Sequence, residues 1–164
     1  MNSVFIGKIV NTHGIKGEIR IKSDFEFKNR VFVVGHFLII RGCKYKILSY
    51  RVHKEWDMVT LEGINDINEA IPFKGSNVYF DRNDLKLADG EYILSDLIGM
   101  RTFIDGVEMG IVNDYNNGVN SLIEIKYDNI VYYVPVKGDF IDRIDFNEGI
   151  IYLKEEAKEL ILWE

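Results

Sequence analysis

Apolar residues in this chain come in short alternating stretches, cut by glycine, asparagine and aspartate every ~8–12 residues, and this spacing constrains the fold most. Alternation turns one side of each stretch toward a core and the other toward water, and the frequent turns leave no room for long helices. Residues 4–10 read as a strand, followed by the turn-rich Asn11-Thr12-His13-Gly14. From 15 to 22, Ile15, Ile19 and Ile21 fall on one face and Lys16, Glu18, Arg20 and Lys22 on the other, so three cations share a strand face. Residues 36–41, 44–53 and 57–62 are further strands; the run 44–53 changes phase between Ile47 and Leu48, which predicts a bulge or bend. One short helix is expected at 66–71, where Asp66 caps, Glu69 follows three residues later and Pro72 stops it. Residues 78–80 resume as a strand, and the polar stretch 81–90 reads as a linker. In the second half, strands at 101–104 and 107–115 flank Asp105-Gly106, a pair suited to a tight hairpin, and strands at 122–127 and 130–136 flank Asp128-Asn129. Strands at 140–146 and 150–153 flank Glu148-Gly149, and the tail 154–163 reads as a closing helix. The expected fold is all-β: two linked small β-barrels, residues 1–84 and 91–164, joined by a linker at 85–90. No repeat relates the halves, so the barrels differ.

Apolar residues make up 47% and aromatics 13%, enough for packed interiors. No apolar run approaches the ~18 residues of a membrane span, and residues 1–10 carry no leader pattern. Cys43 is the only cysteine, so an internal disulfide is impossible and a reducing, cytoplasmic setting is expected. The net charge of −6 conceals a polarity. Residues 1–54 hold eleven Lys and Arg against Glu18, Asp24 and Glu26, a net of +8, and all three histidines. Residues 85–164 hold seven cations against sixteen acids, a net of −9. Two readings stay open: each half faces a different partner, or the halves complement one another.

Catalytic patterns are missing. The chain has no glycine-rich phosphate loop and no serine at a nucleophile elbow, and His13, His36 and His53 lack helical metal-site spacing. No catalytic residue, cofactor or metal is expected. In Thr12-His13-Gly14-Ile15-Lys16-Gly17-Glu18, two glycines beside a Lys-rich strand allow close approach of backbone to phosphate. A plain hairpin or bulge accounts for them more readily.

The segments Gly7-Lys8-Ile9-Val10 and Thr12 to Glu18 resemble the opening signature of the ribosome maturation factor RimM family, which serves 16S rRNA processing in bacteria. The resemblance continues through Gly63-Ile64-Asn65-Asp66-Ile67-Asn68-Glu69-Ala70, Gly90-Glu91-Tyr92, Asp96-Leu97-Ile98-Gly99-Met100, Gly106, Gly110, Gly118-Val119-Asn120-Ser121 and Val134-Pro135. It reaches residues 141–145 and so spans nearly the whole chain in order. It implies a translation-factor-like N-terminal barrel, a PRC-type C-terminal barrel and a short C-terminal helix. It also implies a non-catalytic assembly factor that binds the head of the immature 30S subunit, contacting small-subunit ribosomal protein S-nineteen and nearby 16S rRNA. The basic strand face and the turn before it supply the expected rRNA-binding residues, His13, Lys16, Arg20 and Lys22; for the ribosomal protein the resemblance suggests Tyr92, Ile93 and Leu94. Ile93 and Leu94 stand where relatives carry further aromatics, and Tyr92 reads equally as a surface anchor or a core residue. The tail 154–160 lacks the Gly-Leu turn common in relatives. A cytoplasmic monomer is expected. The competing classes are a small flavin-dependent enzyme and a generic protein-interaction module.

Overall fold

A computed structural model describes residues 2–162. The chain divides into two compact units, Met1–Asp89 and Gly90–Glu164. The first contains β1 (Ser3–His13), β2 (Glu18–Lys22), α1 (Lys28–Val31), β3 (Phe37–Ile40), β4 (Cys43–His53), β5 (Trp56–Leu61), α2 (Ile67–Ala70) and β6 (Asn77–Asp81). Its six strands close into a barrel in the order β1-β2-β5-β4-β3-β6. Alternation fills the interior as expected: Ile19 and Ile21 of β2, Leu38 and Ile40 of β3, Val59 and Leu61 of β5 and Val78 and Phe80 of β6 are buried.

Closure depends on β1, which pairs with β2 along one edge and with β6 along the other. Its register shifts on both sides, between Phe5 and Gly7 against β6 and between Ile9 and Asn11 against β2. Bulges of this kind bend a strand around a small barrel. Gly7 is required at the bend for space: a Cβ there would stand 2.5 Å from the Lys22 carbonyl oxygen. The shift expected in β4 is also present, between Ile47 and Ser49 against β5.

Three local features differ from the expectation. Strand β2 begins at Glu18 and not at Ile15, because Gly14 and Gly17 turn the backbone with φ of 74° and 78°. Ile15 is thereby left 81% exposed. Helix α1 was not expected; it has no side-chain cap and buries only Val31, so neither capping nor periodicity announces it. The stretch read as a linker starts with a single 3₁₀ turn, Arg82–Leu85, in which the Asp81 side chain accepts from Asn83 N–H at 3.0 Å and Leu85 is buried. The short helix after Asp66 forms as expected, its Asp66 carboxylate accepting from Glu69 N–H at 2.9 Å.

The second unit is one six-stranded sheet. Its strands are β7 (Arg101–Ile104), β8 (Val107–Asn116), β9 (Leu122–Tyr127), β10 (Ile130–Pro135), β11 (Ile141–Asp145) and β12 (Ile150–Leu153), in the order β10-β9-β8-β7-β12-β11. All pairs are antiparallel except β7 with β12, where Ile150 lies opposite Arg101. Asp105 and Gly106 take φ of 48° and 79°, the left-handed conformation the hairpin needs. One face packs Ile104, Val112, Ile123, Ile125, Tyr132, Val134, Ile151 and Leu153. Tyr132 is fully buried; its hydroxyl donates to the Met109 carbonyl at 2.6 Å, and burial raises its pKa to about 12. A 3₁₀ turn at Glu155–Ala157 leads into α3 (Lys158–Leu162), whose Leu160 and Ile161 pack on the same core. Trp163, the end of the expected tail helix, lies outside the described residues. The chain is therefore all-β with short helices, and no helix among the described residues is long and apolar enough to cross a membrane.

Replacing Gly7 with alanine should destabilise the protein by about 2 kcal/mol, the typical cost of forcing one carbon into filled space. Urea unfolding followed by circular dichroism measures this; an unchanged midpoint would mean that the bend in β1 is not constrained there.

Candidate nucleic-acid interface

The first unit's cations do not all face outward freely. Lys28 Nζ lies 2.9 Å from Oδ2 of the buried Asp57, whose Oδ1 also accepts from the Tyr50 hydroxyl at 2.6 Å. Burial, reinforced by that carboxylate, holds the Tyr50 hydroxyl well above its ordinary pKa, and its ring stacks on Phe32. Arg30 donates to the Leu85 carbonyl, Arg41 to the Pro72 carbonyl and Ser76, and Arg51 makes two bonds to Glu18, at 2.9 and 2.7 Å. These four cations hold the unit together. Lys8, Lys16, Lys22, Lys44, Lys46 and Lys54 are exposed and make no ion pair among the described residues.

Three of the exposed lysines lie on β1, on β2 and in the turn between them. Lys8 and Lys22 are directly opposite one another across the two strands. Like charges so placed repel, and no ion pair among the described residues offsets them. Lys16 sits in the adjoining turn and not on the β2 face, so the face carries two cations, Arg20 and Lys22, where three were expected. Arg20 places its guanidinium carbon 5.7 Å from the Trp56 ring centroid, and its buried Nε has no hydrogen-bond partner among the described residues. Trp56 pairs in register with His53 at the end of the β4–β5 hairpin. The coil of the sheet then does something that its ladder does not show. His13 on β1 and His53 on β4 are three strands apart in order, yet their ring centroids are 6.0 Å apart. The Arg51–Glu18 pair spans β5 in the same sense. His13, Glu18, Arg51 and His53 thus meet on the outer face near the start of β2, with Lys16 in the turn beside His13, while Arg20 and Lys22 follow along β2 beside Trp56.

In the second unit, Tyr92 is half-buried and packs against Phe146, with ring centroids 5.4 Å apart. Phe146 is 46% exposed, in the turn that follows Asp145, the last residue of β11, and that also holds Glu148. Ile93 and Leu94, by contrast, are 2% and 3% exposed. The expectation that they present a binding surface is corrected: both side chains are buried, and Leu94 belongs to the core of the sheet. Among the described residues, no group of three metal-ligating side chains converges.

Residues 4–85 match the family model described as the RimM N-terminal domain. The ribosome maturation factor RimM of Staphylococcus aureus (strain bovine RF122) is 39% identical over 163 residues, covering 94% of this chain and 97% of that protein. That of Staphylococcus haemolyticus is 37% identical over 156 residues, covering 90% and 93%. The solution structure of the N-terminal domain of RimM from Thermus thermophilus covers 53% of this chain and 98% of that one, at 25% identity and a TM-score of 0.46. The chain belongs to the RimM family. It is thus a ribosome maturation factor and not an enzyme, which removes the flavin-dependent reading.

Two of the segments that carry the RimM resemblance hold one another. The Ile67 N–H donates to the Ile15 carbonyl at 3.2 Å, and a Cβ on Gly17 would stand 2.7 Å from the Asp66 carbonyl oxygen. Gly17 is needed so that the β1–β2 turn can rest on the capped start of α2. That is packing. Trp56, His53 and Phe146 escaped the sequence reading. Trp56 had a weak signal, a large aromatic at the start of an alternating run; the others depend on long-range coiling and turn geometry.

The Arg51 hydrogen bonds pull the Glu18 carboxyl below its ordinary 4.5, against the opposing effect of partial burial. A carboxyl depressed in the folded state stabilises fully above its unfolded value and loses that contribution as pH falls through the folded one. The stability advantage of the native protein over Glu18→Gln should therefore be small but present at neutral pH, begin to decline as pH falls below the carboxyl's ordinary 4.5, and vanish once pH is below the depressed value. Urea titrations at neutral pH and below that value test this; an advantage that grew on acidification would contradict it.

Proposed function

We propose that this RimM protein binds the head of the immature 30S subunit, meeting 16S rRNA through its first unit and small-subunit ribosomal protein S-nineteen through its second, and promotes 16S rRNA processing. The observation that carries this reading is the segregation of unmatched charge. The first unit leaves Lys8, Lys16 and Lys22 exposed without counter-charges among the described residues, while residues 85–164 carry a net of −9. RNA phosphates suit the former and a cationic ribosomal protein the latter, because each partner neutralises what the fold does not.

Mechanistically this is positioning. Phosphate contacts from exposed lysines fix orientation on RNA without reading sequence. In the second unit the Tyr92–Phe146 pair offers an aromatic anchor bordered by Asp145 and Glu148, a combination that accepts arginine and lysine side chains. Phe146 supplies the second ring that Ile93 cannot. We place the protein in the cytoplasm, where ribosomes assemble, as a monomer, with residues 85–90 as the linker.

Charge reversal at Lys8, Lys16 and Lys22 should weaken binding to 16S rRNA fragments broadly and flatten the slope of log K against log salt by about two to three units. An unchanged slope would show that this surface does not meet phosphate. Separately, Phe146→Ala should reduce affinity for the purified ribosomal protein about tenfold and leave RNA binding intact, measured by titration calorimetry; equal affinity would remove the aromatic anchor from the account.

A further inference from the structure

Trp56 is the largest side chain on the outer face of β5, and its surroundings set it apart. Asp57, Met58 and Val59 after it are buried, yet Trp56 itself stays partly exposed. An aromatic ring this size gains most from full burial, so one held at the surface leaves apolar area uncovered. Arg20 sets its guanidinium carbon 5.7 Å from the ring centroid, so a cation already lies beside the partly exposed ring. Lys22 follows Arg20 on the exposed face of β2, and the register that sets Ile21 opposite Asp57 puts Lys22 and Trp56 at adjoining positions of their strands. Lys8 lies opposite Lys22 on the far side. The order across the barrel is therefore cation, cation, aromatic, imidazole: Lys8, Lys22, Trp56, His53.

We propose that Trp56, flanked by Arg20, is a stacking site for an unpaired base of RNA, with Lys22 and Lys8 on the neighbouring phosphates. This rests on the RNA-facing reading of the first unit and deepens it. The charge pattern selects a polyanion, and the ring selects single-stranded over duplex RNA. Bases in an A-form helix are covered by their neighbours, whereas an unpaired base offers a free face to an aromatic ring. Arg20, held against the ring, adds positive charge beside the stacked base. Lys8 and Lys22 lose their mutual repulsion once a phosphate sits between them. Such a site suits a factor acting before the rRNA has folded, when loops and junctions are still open.

The test compares a labelled oligouridylate with a poly(A)·poly(U) duplex, using fluorescence anisotropy on the full-length protein. Trp56→Ala should weaken oligouridylate binding about tenfold, leave the salt slope unchanged and leave duplex binding intact. Trp56→Phe, which keeps a ring, should restore most of the lost affinity. Because Trp56→Ala removes packing as well, Trp163→Phe protein provides a second readout: with Trp56 the only indole, saturating oligouridylate should quench its emission strongly. Equal losses on both RNAs, no rescue by phenylalanine, or binding without quenching would overturn the stacking site. Those results would leave the lysine contacts standing, since Lys8→Glu and Lys22→Glu report on them independently by flattening the salt slope for both RNAs. Failure of the lysine variants to change the slope while Trp56→Ala behaves as expected would uphold the stacking site and remove the phosphate contacts instead.

Discussion

Strand β1 has to pair along both of its edges while turning through the wall of a six-stranded barrel, and the first unit is organised around that demand. Two register shifts bend it, and Gly7 lets its backbone come against the Lys22 carbonyl where any side chain would intrude. Closure removes the open strand edges that a small sheet would otherwise expose. It also decides what the outside looks like. Once β1 lies against β2 in this register, Lys8 must face Lys22, and His13 must stand beside Glu18. The repulsive pair is thus a consequence of the closure that stabilises the barrel.

Intramolecular salt bridges sort the remaining cations. Lys28 and Arg51 are matched with Asp57 and Glu18, and Arg30 and Arg41 with backbone carbonyls. These matches lie within the first unit, so they are not a pairing of the basic half with the acidic one. Some of the basic residues serve the fold itself, and a separate set has no internal counterpart among the described residues. That separation gives physical content to the idea of a surface kept for phosphate, because isolated exposed lysines contribute little to folding and lose little when they bind elsewhere.

Much of the fold was legible because alternation and turn chemistry are local. The Ile19/Ile21 face of β2, the bulge in β4, the Asp66 cap and the Asp105-Gly106 hairpin all follow from residues within a few positions of each other. What stayed hidden depends on distance or on conformation without a pattern. The parallel pairing of β7 with β12 joins segments some fifty positions apart, and α1 has neither cap nor apolar repeat. The site divides along the same line. Arg20 and Lys22 were readable on their strand, but Lys16 was misplaced because Gly14 and Gly17 end the alternation that seemed to include it. Ile93 and Leu94 were carried over by position in a family pattern, and burial overrules them. His53 and Trp56 join the site only through the coil of the sheet, and Phe146 reaches Tyr92 from a turn over fifty positions away.

The central claim is that the outer face of β1, β2 and β5 meets ribosomal RNA. The most direct measurement is ultraviolet crosslinking of the purified protein to immature 30S particles, with the RNA-bearing peptides identified by mass spectrometry. RNA adducts should concentrate on peptides containing Lys8, Lys22 and Trp56, while chemical crosslinks to ribosomal proteins should arise from the second unit. RNA adducts confined to residues beyond Gly90, or to the Lys44–Lys46 hairpin, would contradict it.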